Sequence, residues 1–305
     1  MIEDEIVKSE KAKELERGPI LTWLACATCV FIFLGLLSKG PFESSESWET
    51  VTKWGYSPPG DIWDGKYWGL ITSVFVHIEL WHMALNVYWL WILGRPLERR
   101  IGALRWLIFF LLAAVISSGM QLAASGSTGI GASGVVYAIF GFVWTARKHV
   151  EEFKSALSMQ TINLFIVWLF ICFALTYFKI LEVGNAAHVS GALFGILVAD
   201  VFIVKYKPRI AMAGLVILTT CSIAPIFWSP WSAARVGHQA YNAHLREDYV
   251  TAIALYRRSL ELGQDPVWVW SNLTLAYKKI GDQAKYEEAL QTLQKLDEKA
   301  AESVK

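Results

Sequence analysis

Along most of the chain, long apolar stretches alternate with short charged segments. The first stretch, Ile20–Leu37, has no charged residue over 18 positions, which approaches the length of a membrane span. It is too long for the apolar part of a signal peptide, and a charged tail, residues 1–19, precedes it, so we interpret it as a retained span. Six further apolar segments predict seven spans in total: Val74–Leu93, Trp106–Leu122, Ser133–Thr145, Ile162–Phe178, His188–Val204 and Ile210–Phe227.

The lysines and arginines of the connecting segments predict the orientation. One set of connections holds 14 of them and the opposite set holds 4. Positive residues gather in cytoplasmic loops, so the N-terminus is expected in the cytoplasm, and seven spans then place the C-terminus outside it. The richer set is Lys8, Lys11, Lys13, Arg17, Arg95, Arg99, Arg100, Arg105, Arg147, Lys148, Lys154, Lys205, Lys207 and Arg209, and the poorer set is Lys39, Lys53, Lys66 and Lys179.

Composition agrees with a membrane protein. Of the 305 residues, 54% are hydrophobic and only 18% are charged, with a mean hydropathy of +0.38. These values argue against a disordered chain, a fibrous protein and a wholly soluble enzyme. The net charge of +1 gives no field that would favour a nucleic-acid partner. The cysteines all fall inside predicted spans, so neither a disulfide framework nor a metal site is expected from Cys26, Cys29, Cys172 and Cys221.

After Trp231 the chain becomes polar, charged and periodic at helical spacing. Two stretches resemble each other at an offset of 34 residues, which is the period of the tetratricopeptide (TPR) repeat. Residues 235–300 are therefore expected to form about two TPR-like units, and a generic helical hairpin stays open as the alternative. The packing residues expected of the two units are Ala252, Tyr256, Leu260, Trp270, Leu273, Ala276 and Tyr277.

Polar and ionisable side chains inside spans are costly, so they are candidates for function. In the second span, His82 and Asn86 are four residues apart and lie about 40° apart on one helix face. Both can donate hydrogen bonds to one point. His77 is five residues from His82, or about 140° away on a continuous helix, which is poor geometry for two ligands of one metal ion. A pair of polar residues that joins neighbouring helices is the alternative interpretation.

The fourth and sixth predicted spans supply a hydroxyl and an imidazole. Ser133 lies between Gly131 and Gly134, and such small neighbours allow close approach to its hydroxyl. Tyr137 follows one helical turn later. His188 precedes a glycine pair, Gly191 and Gly195, in the G-x-x-x-G spacing that brings helix backbones into contact. If the partner of that glycine face is the fourth span, His188 is carried next to Ser133.

The orientation predicted from lysine and arginine places His82, Asn86, Ser133 and His188 in the outer half of the bilayer. Ser133 and His188 both fall near helix N-termini, where free N–H groups favour developing negative charge. The topology and the chemistry come from different residues, and both indicate one site on the outer side.

Together these motifs resemble the rhomboid family of intramembrane serine proteases, over roughly Trp68–Ala199. The resemblance lies in four motifs in family order: His77-x4-His82-x3-Asn86, Glu98-x-Arg100-x-Gly102, Gly131-x-Ser133-Gly134 with Tyr137, and Ala187-His188-x2-Gly191-x3-Gly195. Seven spans with a TPR-like tail resemble one bacterial subgroup, which has one span beyond a six-helix core. The sequence departs from the family at Trp68-Gly69, where an arginine often follows the tryptophan. That departure puts the anchoring of the first loop in doubt more than catalysis.

The resemblance implies roles for individual residues. Ser133 matches the nucleophile and His188 the general base, while His82 and Asn86 match the donors to the oxyanion. Tyr137 matches the ring that packs on the catalytic imidazole. Independently of the family, no Asp or Glu in the outer halves of the fourth and sixth spans looks placed to orient an imidazole, which predicts a Ser–His dyad rather than a triad.

The sequence therefore predicts an all-α membrane bundle, residues 20–230, followed by a small soluble helical domain, residues 235–300. The predicted function is a serine endopeptidase of the cell membrane that cleaves membrane-protein substrates in or near their spans, without cofactor or metal. A protein partner of the TPR-like tail is a further expectation. The alternatives are a catalytically inactive relative that binds or chaperones membrane proteins, a scaffold in which the membrane part is only an anchor, and a transporter.

Overall fold

The computed structural model describes residues 18–40 and 45–304, and this part of the chain contains helices and no strand. It divides into two compact units, one ending at Ile226 and the other starting at Phe227. The predicted all-α fold class is therefore confirmed.

The membrane unit contains seven longer helices and several short ones. The longer helices are α1 (Ile20–Leu37), α5 (Leu80–Ile101), α6 (Ala103–Ser125), α7 (Ser133–Ala146), α9 (Met159–Tyr177), α10 (Asn185–Ala199) and α11 (Pro208–Phe227). The short ones are α2 (Ser45–Lys53), α3 (Pro59–Trp63), α4 (Gly69–Thr72) and α8 (Glu151–Ala156), with a 3₁₀ turn at Ser73–Phe75 and a π-helical turn at Asp200–Val204.

Within the described residues, five helices are long and apolar enough to cross a membrane, namely α1, α6, α9, α10 with its π turn, and α11. A sixth span results if the bent pair Gly69–Phe75 and Leu80–Ile101 is counted as one. The remaining apolar helix, α7, has only 14 residues. The chain is thus a multi-pass membrane protein, and the count of seven spans stays a prediction.

The expectation of one straight helix over Val74–Leu93 is wrong. The two helical parts meet at an angle of 103°, and His77 lies in the break between them. The helical angle between His77 and His82 therefore does not apply. The apolar pattern runs through the break because both parts lie among apolar neighbours, whatever the backbone does between them.

Helix α7 lies at the centre of the membrane unit, with nearly all of its side chains buried. Its closest partner is α10, and α5 and α6 also pack against it. A Cβ atom on Gly191 would overlap the carbonyl oxygen of Gly134, and one on Gly195 would overlap that of Ala138. The glycine face of α10 therefore contacts the backbone of α7 directly, which brings the start of α10 beside the start of α7.

Glu98 fastens the end of α5 to the start of α1. Its carboxylate accepts hydrogen bonds from the backbone N–H of Leu21 (2.9 Å) and of Thr22 (2.7 Å), and from the hydroxyl of Thr22 (2.7 Å). The sequence placed Glu98 in a charge-paired cytoplasmic loop. That prediction is wrong, because Glu98 lies in the last turns of α5 and binds free N–H groups of a helix N-terminus, where a carboxylate is favoured.

The C-terminal unit is a series of five helices: α12 (Ala233–Leu245), α13 (Tyr249–Glu261), α14 (Pro266–Ile280), α15 (Gln283–Leu296) and α16 (Glu298–Ser303). Each is capped by a serine or aspartate, as at Asp248, whose side chain accepts from the N–H of Thr251. The unit has its own core, centred on Tyr256 and Leu273. Of the packing residues expected from the repeat, Leu260 and Trp270 are only half-buried, whereas the others are buried.

Candidate active site

A hydroxyl and an imidazole meet where α7 and α10 begin. The Oγ of Ser133, the first residue of α7, lies 2.7 Å from the Nε2 of His188 in the first turn of α10. His188 is buried, and its Nδ1 has no hydrogen-bond partner in the described part of the chain. The imidazole is thus held next to the serine without a carboxylate behind it.

Tyr137 positions the His188 ring from below. The two rings are stacked, with centroids 4.6 Å apart and planes inclined by 25°. The hydroxyl of Tyr137 donates to the carbonyl oxygen of Phe165 in α9, at 3.1 Å. This bond ties the tyrosine to a third helix, so both the height and the tilt of the imidazole are restrained by packing.

A second group of polar side chains faces the start of α7 from α5. Asn86 is buried, and its Nδ2 donates to the carbonyl oxygen of His82 at 3.0 Å and lies 3.1 Å from the Nε2 of His77. His82 is partly exposed, and its ring meets that of His77 edge to face with centroids 4.9 Å apart. The two predicted donors therefore lie with His77 on the side of the site opposite α10.

His77 is the residue that the sequence did not place in this site. Its Nδ1 lies 3.2 Å from the carbonyl oxygen of Phe75, so Nδ1 carries the proton and Nε2 is the acceptor. That Nε2 accepts from Asn86 and from the backbone N–H of Ala132, at 3.4 Å. The break before α5 makes this contact available, and the single sequence signal for it is a polar residue that does not share the helix face of His82.

Gly131 has the conformation and the space that only glycine fits. Its φ is +95°, a left-handed backbone conformation, and a Cβ there would overlap the ring of His82. Its N–H donates to the carbonyl oxygen of Ser73 at 3.2 Å. The loop before α7 is therefore pressed against His82, and the free N–H groups at the start of α7 face the same space as the Ser133 hydroxyl.

The site opens into a cavity of about 860 Å³. One wall is polar, with Ser117, Ser118, Gln121 and Ser125 of α6. The opposite side is apolar and aromatic, and it is contributed by α5 and α9 through Trp81, Leu85, Trp89, Leu164, Phe165 and Trp168. A nucleophile with a basic partner, hydrogen-bond donors and a cavity with one polar and one apolar wall is an arrangement suited to acyl transfer.

Comparison with known protein families identifies the domain that carries this site. Residues 64–205 match the family model described as the Rhomboid domain. These residues form a rhomboid domain. The match contains Ser133, His188, His82, Asn86 and the other motif residues, and it ends before α11.

Two curated relatives are similar to this chain across the rhomboid domain and its flanks. The chain is 32% identical over 186 residues to the rhomboid protease GlpG of Yersinia pseudotuberculosis, covering 60% of this chain and 63% of that protein. It is 27% identical over 194 residues to the rhomboid protease GlpG of Salmonella newport, covering 64% and 67% of the two chains. The chain thus spans about two thirds of the length of the relatives that it matches.

Proposed function

We propose that this chain is an intramembrane serine endopeptidase that uses Ser133 and His188 as a catalytic dyad. The observation that carries the proposal is the distance of 2.7 Å between Ser133 Oγ and His188 Nε2, at the floor of a cavity in a rhomboid domain. Serine is a weak nucleophile and requires a base within hydrogen-bond reach.

In the first half of the reaction, His188 Nε2 takes the proton from Ser133 Oγ as the oxygen attacks the scissile carbonyl carbon. The tetrahedral intermediate collapses when His188 gives that proton to the leaving amine, which breaks the C–N bond and leaves an acyl-enzyme. Water then attacks the ester with the same base, releases the new carboxyl group and regenerates Ser133. With no carboxylate on Nδ1, stacking on Tyr137 keeps the imidazole aligned through both halves.

The oxyanion would lie between the start of α7 and the side chains from α5. The N–H of Ser133 and the ring of His82 are the donors closest to hand, since His82 lies against Gly131. Both N–H groups of Asn86 are engaged, one with the His82 carbonyl and one with His77. Asn86 therefore contributes by exchanging one of those partners for the oxyanion. One such donor is worth about 10²–10³ in rate.

The proposed substrates are membrane proteins, cut in or near a transmembrane segment. The aromatic wall between α5 and α9 offers an apolar surface to a substrate helix, and the polar wall of α6 can hold the water for hydrolysis. The backbone must be extended to present a carbonyl to Ser133, so helix-breaking or small residues near the cut favour cleavage.

The first experiment is cleavage of a single-span reporter by purified protein in liposomes, beside Ser133→Ala and His188→Ala. We expect cleavage by the parent and a loss of about 10⁴-fold or more in each variant, because members of such a unit act together. The matched control is Ser118→Ala, which lines the same cavity without touching the dyad.

Cleavage that survives Ser133→Ala would overturn the dyad. Silence of all three proteins is resolved by a fluorophosphonate probe. Labelling that depends on Ser133 means an active enzyme with the wrong reporter, whereas no labelling favours a binding protein without activity.

The proposed location is the cell membrane, with seven spans, a cytoplasmic N-terminus and the C-terminal unit on the outer side. The support is the excess of lysine and arginine on one set of loops. Reporters that are active on only one side of the membrane, fused at either terminus, test this. Activity of both fusions on the same side would contradict an odd number of spans.

We further propose that the C-terminal unit is TPR-like and recruits a protein partner or substrate. Its four longer helices follow one another with the expected offset of 34 residues. Deleting residues 235–305 is expected to slow cleavage of some natural substrates and to leave the generic reporter unaffected. Unchanged cleavage of every substrate would contradict recruitment.

A further inference from the structure

The charged side chains that line the active-site cavity are all of one sign. Among the described residues that form its wall are two carboxylates, Glu79 and Glu182, and no lysine or arginine. Glutamate side chains in contact with water are negative at neutral pH. Any peptide that reaches Ser133 must therefore pass through a negative field.

Glu79 lies on the oxyanion side of the cavity. It is the residue before α5, where an acidic side chain ordinarily accepts from the first N–H groups of its own helix, yet it forms no such capping bond. Its Oε2 lies 3.9 Å from His82 Nδ1 instead, and its side chain is 45% exposed. The carboxylate thus faces the cavity mouth beside a residue that we place in the site.

Glu182 lies on the other side, in the loop between α9 and α10 and six residues before His188. It is exposed, and within the described part of the chain it forms no ion pair that would neutralise it. Two lysines of the loops between α1 and α5 are already matched to acids, Lys53 to Glu49 at 2.8 Å and Lys66 to Asp61 at 3.1 Å. The charge at the cavity is therefore not balanced by these neighbours.

We infer that Glu79 and Glu182 select substrates by charge, favouring a segment with a lysine or arginine close to the scissile bond and disfavouring one with aspartate or glutamate there. This inference rests on the proposed protease function and names the class of substrate that the site accepts. The aromatic rings of Trp48 and Trp81 in the same wall add surfaces on which a cation can rest. Attraction over several ångströms in a partly aqueous mouth corresponds to roughly tenfold per charged pair.

The test uses three single-span reporters that differ only in one residue just outside the scissile bond, which is lysine, glutamine or glutamate. The ratios of kcat/KM are measured in liposomes of neutral lipid for the parent, Glu79→Gln, Glu182→Gln and the double variant. Glu152→Gln is the matched control, because Glu152 is exposed on α8 and does not line the cavity.

The parent is expected to cleave the lysine reporter about tenfold faster than the glutamine one, and the glutamate reporter more slowly still. The ratios should shrink toward one in the double variant and at high salt, and stay unchanged in Glu152→Gln. Glu182→Lys should reverse the order, which keeps the test informative if Glu79→Gln disturbs His82. Parental ratios near one, or ratios that survive the double variant, would overturn the inference.

Failure of the underlying function has a different signature. If the glutamine reporter is not cleaved by the parent, or is cleaved equally by Ser133→Ala, the protease proposal itself fails. If that reporter is cleaved through Ser133 while the three ratios are flat, the protease stands and only the charge selection is wrong.

Discussion

The imidazole of His77 touches neither Ser133 nor His188, yet it holds two groups that border the site. Its Nε2 accepts from the Asn86 side chain and from the N–H of Ala132, the residue before the nucleophile. Because His77 is fully buried, removing it leaves both donors without a partner. It is a positioning residue for the oxyanion side.

We expect His77→Ala to lower kcat by about 10–100-fold with little change in KM, since it acts on Asn86 rather than on substrate binding. Asn86→Ala should cause a similar loss, and the double variant little more than either alone. A double-mutant cycle on the liposome reporter measures this. Losses that multiply would show that the two residues act independently, and the melting temperature of each variant controls for misfolding.

Which residues the sequence could identify follows from how local their signals are. Ser133 and His188 have small neighbours within a few positions, and the glycine face of α10 predicts its contact with α7. His77 could not be placed, because the break before α5 depends on bonds to Phe75 and Ala132 that form only after folding.

At the scale of the helices, the contact of α7 with α10 tolerates no side chain at its centre. We expect Gly195→Leu to destabilise the membrane unit by about 2–4 kcal/mol and to abolish cleavage, since a bulky side chain would force the two backbones apart. Leu193→Ala, at an exposed position of the same helix, is the control and should be near neutral. Thermal unfolding in detergent reads out both. An unchanged melting temperature in Gly195→Leu would contradict the packing described.

Glu98 joins α1 to α5 through three hydrogen bonds, two of them to backbone N–H groups that have no other partner within α1. Glu98→Ala is expected to cost about 2–4 kcal/mol of unfolding free energy, and Glu98→Gln less, because one carbonyl oxygen remains. The exposed neighbour Arg99→Ala should have little effect. Equal melting temperatures for the parent and Glu98→Ala would contradict this role.

At the scale of the whole molecule, the C-terminal unit has a core of its own, so residues 227–305 are expected to fold alone and to melt cooperatively. Burial, and to a smaller extent the positive charge of Lys279, lowers the pKa of His244. The folded unit therefore binds fewer protons than the unfolded chain just below the ordinary histidine pKa, and it loses stability as the pH falls through that range.

Circular dichroism of this fragment should show a lower melting temperature at pH 5.5 than at pH 7.5. His244→Gln is expected to reduce the difference. A melting temperature that does not fall, or falls equally in the variant, would contradict the role of His244. The boundary of this unit could be predicted because composition changes abruptly at Trp231, whereas the burial of individual repeat positions such as Trp270 could not, since it depends on neighbouring helices.

The short length of α7 makes bilayer thickness a variable of the reaction. Fourteen residues of helix span about 21 Å, roughly 9 Å less than the hydrocarbon core of an ordinary membrane. If the far end of α7 reaches one surface, Ser133 at its start is submerged beneath the other. Water and an extended peptide must then descend to it, and a thinner or locally compressed bilayer shortens that path. The lipid around the protein would then set the depth at which peptide bonds can be reached, in the same way that a pocket sets which side chains fit.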